Sequence, residues 1–157
     1  MAIVIENQDV SDLEEFLRDG VEDYVFRYVS VTDVRVEGGS WSGIYFYVEF
    51  DRLSHYWGVY NMSVFVDSSF IDCVFSGTSF PECRFVNCKF ERCLFRKDNL
   101  GGLCHFDESV FACCTFSKCE FGRVNLETFC NFSNTRFFDC QNDGSIGLPS
   151  TVKNRRN

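Results

Sequence analysis

Ten cysteines occur among 157 residues, and in CRFVNCKFERCLF, residues 83–95, three of them stand two places before a phenylalanine at a period of five. Thiols at such regular spacing can hold a metal, form disulfides or fill a core. Zinc sites draw on cysteine pairs two to four residues apart, combined into four-ligand sets. No plausible set of that form is present. The two histidines, His55 and His105, lie on either side of the repeated segment's first half and make no sequence pair with a thiol. No glycine-rich phosphate loop follows a strand-like run, and no pattern suggests buried paired carboxylates. These residues give no catalytic, cofactor or metal site, and the expectation is a protein that is not an enzyme.

The elements that position the thiols follow from an internal repeat. Phe65, Phe70, Phe75, Phe80, Phe85, Phe90, Phe95 and Leu100 succeed one another at intervals of five. After one extra residue come Phe106, Phe111, Phe116, Phe121 and Leu126, and after a second come Phe132 and Phe137. Five is the period of neither a helix nor a strand. A helix would scatter these rings around its whole cylinder, and a flat strand would send alternate ones to opposite faces.

The units SVFVD, SSFID, CVFSG, TSFPE, CRFVN, CKFER, CLFRK and CNFSN resemble those of the pentapeptide-repeat family. Its units carry a small residue, a polar residue, a central Leu or Phe and two variable residues. The resemblance covers roughly residues 58 to 142. It implies an all-β fold, a right-handed quadrilateral β-helix with four pentapeptides per turn. The central residue and the small residue two before it would both point inward. Nine of the cysteines then occupy the small inward slot: Cys73, Cys83, Cys88, Cys93, Cys104, Cys114, Cys119, Cys130 and Cys140. There a free thiol behaves as a small hydrophobe. Cysteines one turn apart would stack at about 4.8 Å, slightly beyond the usual Cβ separation of about 3.5–4.5 Å in a disulfide. Core thiols are therefore expected, with Cys113 alone pointing outward and reacting first. His105 falls in an outward polar slot. Asp98, in KDNLGG, falls in an inward one, and a local distortion near Gly101 and Gly102 is expected, with Asp98 capping free backbone N–H groups.

Four segments follow. Residues 1–23 form an acidic strand or helix cap, in which Asp9 or Ser11 starts a short α-helix running to about Arg18 and covering the open end of the β-helix. Residues 24–57 are either degenerate coils centred on Phe26, Val31, Val36, Trp41 and Phe46, or a hairpin turning at GGSWSG. Within them, 49–57 fit neither register and are read as a loop or a break in the β-helix. Residues 58–142 are the β-helix, and 143–157 a disordered basic tail.

The formal charge is −8. Residues 1–23 hold one arginine against eight acids, and the tail from Gly144 holds three basic residues and no acid. Such a balance argues against direct nucleic-acid binding and allows an acidic surface that occupies another protein's nucleic-acid site. No apolar run is long enough to span a bilayer, so the reading is a soluble, cytoplasmic chain without a membrane partner. With four units per turn, the coils of Phe65, Phe85, Phe106 and Leu126 are expected on one side, presenting Asp67, Asp107, Glu108 and Glu127. The opposite side, from Phe75, Phe95, Phe116 and Phe137, would present Arg96, Lys97, Lys118 and Arg136. The resemblance to the quinolone-resistance type of pentapeptide-repeat protein implies a DNA mimic. Its partner would be a DNA-binding protein: a bacterial type II topoisomerase, or a defence nuclease complex if the chain is a phage-encoded anti-CRISPR or anti-restriction inhibitor. The contact residues are expected either on the acidic side or at Asp12, Glu15 and Asp19. The alternative is an interaction or structural module without mimicry, using outward Val64, Val66, Val74, Val86 and Leu94. A homodimer is compatible with either.

Overall fold

A computed structural model describes residues 3–10, 21–123 and 128–155. These residues coil into a right-handed, four-sided β-helix of short parallel strands. The first face stacks seven strands, from Ile3–Glu6 through Trp41–Phe46, Val64–Val66 and Arg84–Val86 to Arg136–Phe138. The second stacks eight, from Asp9–Val10 through Ser69–Ile71 and Lys89–Glu91 to Lys153–Asn154. The third runs from Arg35–Glu37 through Val74–Ser76 and Leu94–Arg96 to Glu120–Arg123. The fourth is narrower, a ladder of single bridges joining Ser40, Val59, Ser79, His105 and Asn131.

The period of five has a local cause. Three residues make each strand, and the residue two after the buried central one turns the corner in the left-handed region, as Asp67 (φ 51°), Asp72 (φ 53°) and Asn87 (φ 52°) do. Asn and Asp tolerate that region best, and β-branched residues tolerate it worst; among the described residues no Val, Ile or Thr has a positive φ. The turned N–H is not lost, because it donates to the next coil, Asp67 to the Val86 carbonyl at 3.0 Å and Asp72 to that of Glu91 at 2.9 Å.

Stacking the coils places like side chains in columns. Phe65, Phe85, Phe111 and Phe137 stack at centroid distances of 4.8, 4.5 and 4.9 Å, with ring planes within 7° of parallel. Rings of neighbouring columns meet edge to face, as Phe65 and Phe70 do at 5.4 Å. Burying each ring contributes about 1.5–3 kcal/mol, and the columns fill the interior from Phe26 to Phe121.

Several expectations change. Residues 24–57 are coils and not a hairpin: Arg35–Glu37 pairs in parallel with Ser54–Tyr56, and Ser30–Thr32 with Glu49–Asp51. The segment 49–57 is no loop, since Phe50 and His55 are its buried central residues. The register had been hidden by one short step, from Trp41 to Tyr45 rather than to Phe46, where a single strand runs through the corner. Leu100 is not a central residue but is 81% exposed. Residues 98–103 leave the coil as a loop, after which Phe106 stacks on Phe80 at 5.0 Å. Phe121 and Phe132 bracket a second excursion, opened by the antiparallel pairing of Gly122 with Phe129; Leu126 lies outside the described residues.

Both ends differ as well. The expected helical cap is not borne out among the described residues: Asp9 lies in a strand paired in parallel with Ser30, and 11–20 lie outside them. The tail is not disordered up to Arg155. Ile146 bridges Glu120, Val152 is buried, and Lys153–Asn154 adds a strand beside Gln141–Asp143.

Candidate functional site

Inside the rod, groups capable of chemistry are tied into the packing. His55 is fully buried, with Nε2 at 2.8 Å from the Gly38 carbonyl and Nδ1 at 2.8 Å from the Tyr60 hydroxyl. Burial is the main cause that pulls its pKa down to about 4, only partly opposed by the Gly38 hydrogen bond. The ring is thus neutral, donating through Nε2 and accepting from Tyr60 through Nδ1. Trp41 leans on it at 4.8 Å, and the buried indole Nε1 of Trp41 has no hydrogen-bond partner among the described residues.

The nine thiols expected in the small slot are all buried, and Cys113 alone is exposed. Their Sγ atoms donate to carbonyls one coil away, Cys88 to Phe65 at 3.3 Å and Cys93 to Phe70 at 3.1 Å. Burial pushes the Cys83 thiol up to about 12. Among the described residues, no three His, Cys, Asp or Glu side chains converge to hold a metal ion.

The loop at 98–103 is built as a closed structure. Asp98 Oδ1 accepts from the Leu100 and Gly102 amides at 2.8 Å each, and Oδ2 accepts from Trp57 Nε1 at 2.6 Å. Those bonds, that from Gly102 foremost, hold its carboxyl below the usual range. Tyr56 donates to Asn99 Oδ1 and accepts from the Asn99 amide. The capping role read from the sequence for Asp98 is therefore the observed one.

Outside, charge is interleaved rather than segregated. Along the corner between the second and third faces, Arg52 holds Asp33 by two bonds of 2.6 and 3.1 Å, and Arg92 holds Asp72 by two of 2.8 and 3.2 Å. These donors lower both carboxyl pKa values. The acids expected to form one stripe are divided. Asp67 turns the corner between the first and second faces, after Phe65. Asp107 and Glu108 follow Phe106 on the fourth face, with Asp107 Oδ1 3.6 Å from His105 Nδ1. Glu127, Asp12, Glu15 and Asp19 lie outside the described residues. The basic set is divided too: Arg96 is on the third face, Lys118 at the second–third corner and Arg136 on the first. The six residues of each loop excursion shift every later coil by one face relative to the expected sorting.

The outward apolar residues gather mainly on the first face. The first face collects Val4, Val25, Ile44, Val64, Val66 and Val86, followed by Val110 and Phe138. Val4 (50%), Ile44 (37%), Val86 (40%) and Phe138 (51%) remain open to solvent. Val74 and Leu94 belong to the third face instead. The repeat register would have shown this stripe once the steps at Trp41 and Phe95 were placed.

Eight copies of the pentapeptide repeat match the family model over residues 63–96. The chain carries pentapeptide repeats. That segment holds the most regular coils, and the same register extends on both sides of it. Among solved structures, the chain is 13% identical to a trypsin-treated variant of QnrB1, a plasmid-mediated fluoroquinolone resistance protein. That comparison covers 99% of this chain and 91% of that one, at a TM-score of 0.37. It is 4% identical to the pentapeptide-repeat protein Rfr23 from the cyanobacterium Cyanothece 51142, covering 94% of this chain and 86% of that one at a TM-score of 0.30. No curated protein matches.

Proposed function

We propose that this chain is a non-enzymatic rod that binds a partner protein through its first face. The outward apolar residues from Val4 to Phe138, interrupted by Arg84 and Arg136, carry the reading. Exposed apolar residues gathered on one side mark an interaction site more often than singly scattered ones. His55 and Asp98, the groups best suited to proton transfer, already spend their bonds on the core and the loop. Rigid coils present the stripe without ordering cost on binding.

A second reading, DNA mimicry toward a topoisomerase or a defence nuclease, is supported by the acid of the N-terminal segment. Residues 1–23 carry a formal −7 of the chain's −8. In that reading Asp12, Glu15 and Asp19 do the work, joined by Asp67 or by Asp107 and Glu108 from separate sides.

One comparison separates the two. The parent, Ile44→Asp/Val86→Asp and Asp12→Lys/Glu15→Lys/Asp19→Lys serve as baits for the same lysate, and the captured protein is then purified and its affinity measured. Loss with the first-face variant, at an affinity indifferent to salt, supports apolar docking. Loss with the N-terminal variant, at an affinity falling steeply with salt, supports mimicry. Retention by both variants overturns both readings.

A further inference from the structure

The inward thiols are aligned as well as buried. Ser68, Cys88, Cys114 and Cys140 fill one slot in four successive coils, because the residues after them pair in register, Ser69 with Lys89, Lys89 with Thr115 and Thr115 with Gln141. The Gln141 amide donates to the Cys114 carbonyl at 3.0 Å, so the two cysteines sit directly across neighbouring strands. Strands that close are about 4.8 Å apart, inside the 4.4–6.8 Å range of Cα separations that disulfides span.

We propose that Cys140 and Cys114 are a hydroperoxide-responsive pair that closes to a disulfide between the last two coils of this column. Their place beside an open cleft distinguishes them from the other stacked thiols. Cys88 is clamped by coils on both sides. Cys140 is followed in its slot by Val152, which precedes the two-residue strand Lys153–Asn154, and it lines an open cleft with Asp139, Gln141, Ser150 and Val152. It is 6% exposed against 1% for Cys114.

The thiols are also polarised in the right sense. The neighbouring Cys114 thiol is the main cause that brings the Cys140 pKa down to about 7, while burial opposes it; the two thiols themselves donate to carbonyls, Cys114 to Phe85 and Cys140 to Phe111, at 3.3 Å each. Cys114 is pushed far up by the same contact together with Cys88. Cys119 and Cys130, the last cysteines of the other two columns, are both pushed up instead. Cys140, the thiol that borders the cleft, is the nucleophile. Its thiolate attacks one oxygen of a hydroperoxide; the S–O bond forms, the O–O bond breaks, and hydroxide or alkoxide leaves. Cys114 sulfur then attacks the sulfenic sulfur; the S–S bond forms, and the S–O bond breaks. The hydroxyl leaves as water with the Cys114 proton. Two thiols lose two electrons and the hydroperoxide gains them. An external thiol reverses the reaction.

The test uses full-length protein with Cys113→Ser, which removes the outward thiol. Reduced protein is exposed to hydrogen peroxide, quenched by alkylation and mapped without reduction. The expected result is loss of two hydrogens per chain, a cross-link joining the tryptic peptides of Cys114 and Cys140, and reversal by dithiothreitol. The rate should rise through about pH 6 to 8 as the thiolate forms. Adding Cys114→Ser, a residue that the same slot accepts at Ser68, should leave a dimedone-reactive Cys140 and no cross-link. An unchanged mass, a cross-link between other cysteines, or oxidation of Cys140 to sulfinate while Cys114 is present would overturn the proposal.

Discussion

Tyr60 donates its hydroxyl hydrogen to Nδ1 of His55 across 2.8 Å, inside a rod whose other central residues are nearly all apolar. Both coils depend on a neutral imidazole. The pKa of His55 falls from 6.5 to about 4 on folding, so the unfolded chain takes up the proton first as pH drops. This contribution to stability is complete above about pH 6.5, declines as pH falls and is lost by about pH 4. The full span corresponds to about 3 kcal/mol. Urea unfolding at a series of pH values should show that slope, and His55→Phe/Tyr60→Phe should flatten it. An equal slope in the double variant would assign the acid sensitivity to other groups.

Gly58 occupies the small slot before Tyr60, and a Cβ there would fall within the His55 ring. Gly58→Ala should therefore destabilise by about 1–3 kcal/mol through overpacking. Combining it with His55→Val, the residue type that Val36 supplies one coil above, should recover part of that loss. Thermal melts of the single and double variants provide the measurement.

Phe90 stacks between Phe70 at 4.8 Å and Phe116 at 5.2 Å. Phe90→Ala should cost about 3–5 kcal/mol, as for other large aromatic truncations in cores. Leu100, which continues the same fivefold count, should cost less than about 0.5 kcal/mol as Leu100→Ala, because it is solvated. Comparable losses at the two positions would contradict the register.

That contrast also marks what the sequence could and could not disclose. The spacing of eleven from Phe95 to Phe106 reads equally well as two units plus one residue or as one unit plus a six-residue loop. Only hydrogen bonding between coils distinguishes them. Its outcome decides which charges share a side, so the expected acidic stripe through Asp67, Asp107 and Glu108 depended on information that spacing lacks. His55 was missed for a different reason. A histidine at a central position breaks the apolar pattern, and its partners Gly38 and Tyr60 come from the preceding coil and the following face. The cysteine slots and the Asp98 cap were legible, because each follows from the phase of nearby residues alone.

A native titration with a bulky thiol reagent should label about one cysteine per chain quickly, Cys113, since the other nine are buried. Its side chain is exposed at a corner with φ 56°. Cys113→Ser should remove the fast phase. Rapid modification of most of the ten cysteines would be inconsistent with inward slots.

The loop at 98–103 offers a graded test of how one carboxylate organises an excursion from the coil. Asp98 uses one oxygen for two loop amides and the other for the Trp57 indole. Asp98→Asn can keep the first set, because its amide oxygen still accepts, but its NH2 group cannot accept from Trp57. Asp98→Ala loses both. Amide exchange at Leu100 and Gly102 should accordingly accelerate strongly in the alanine variant and weakly in the asparagine variant, while Trp57 emission should shift in both. The β-helix should remain folded throughout, since Phe95 and Phe106 keep their columns on either side of the loop. Identical exchange in the parent and both variants would mean that the loop is held by the Tyr56–Asn99 contacts instead, and Tyr56→Phe would then release it.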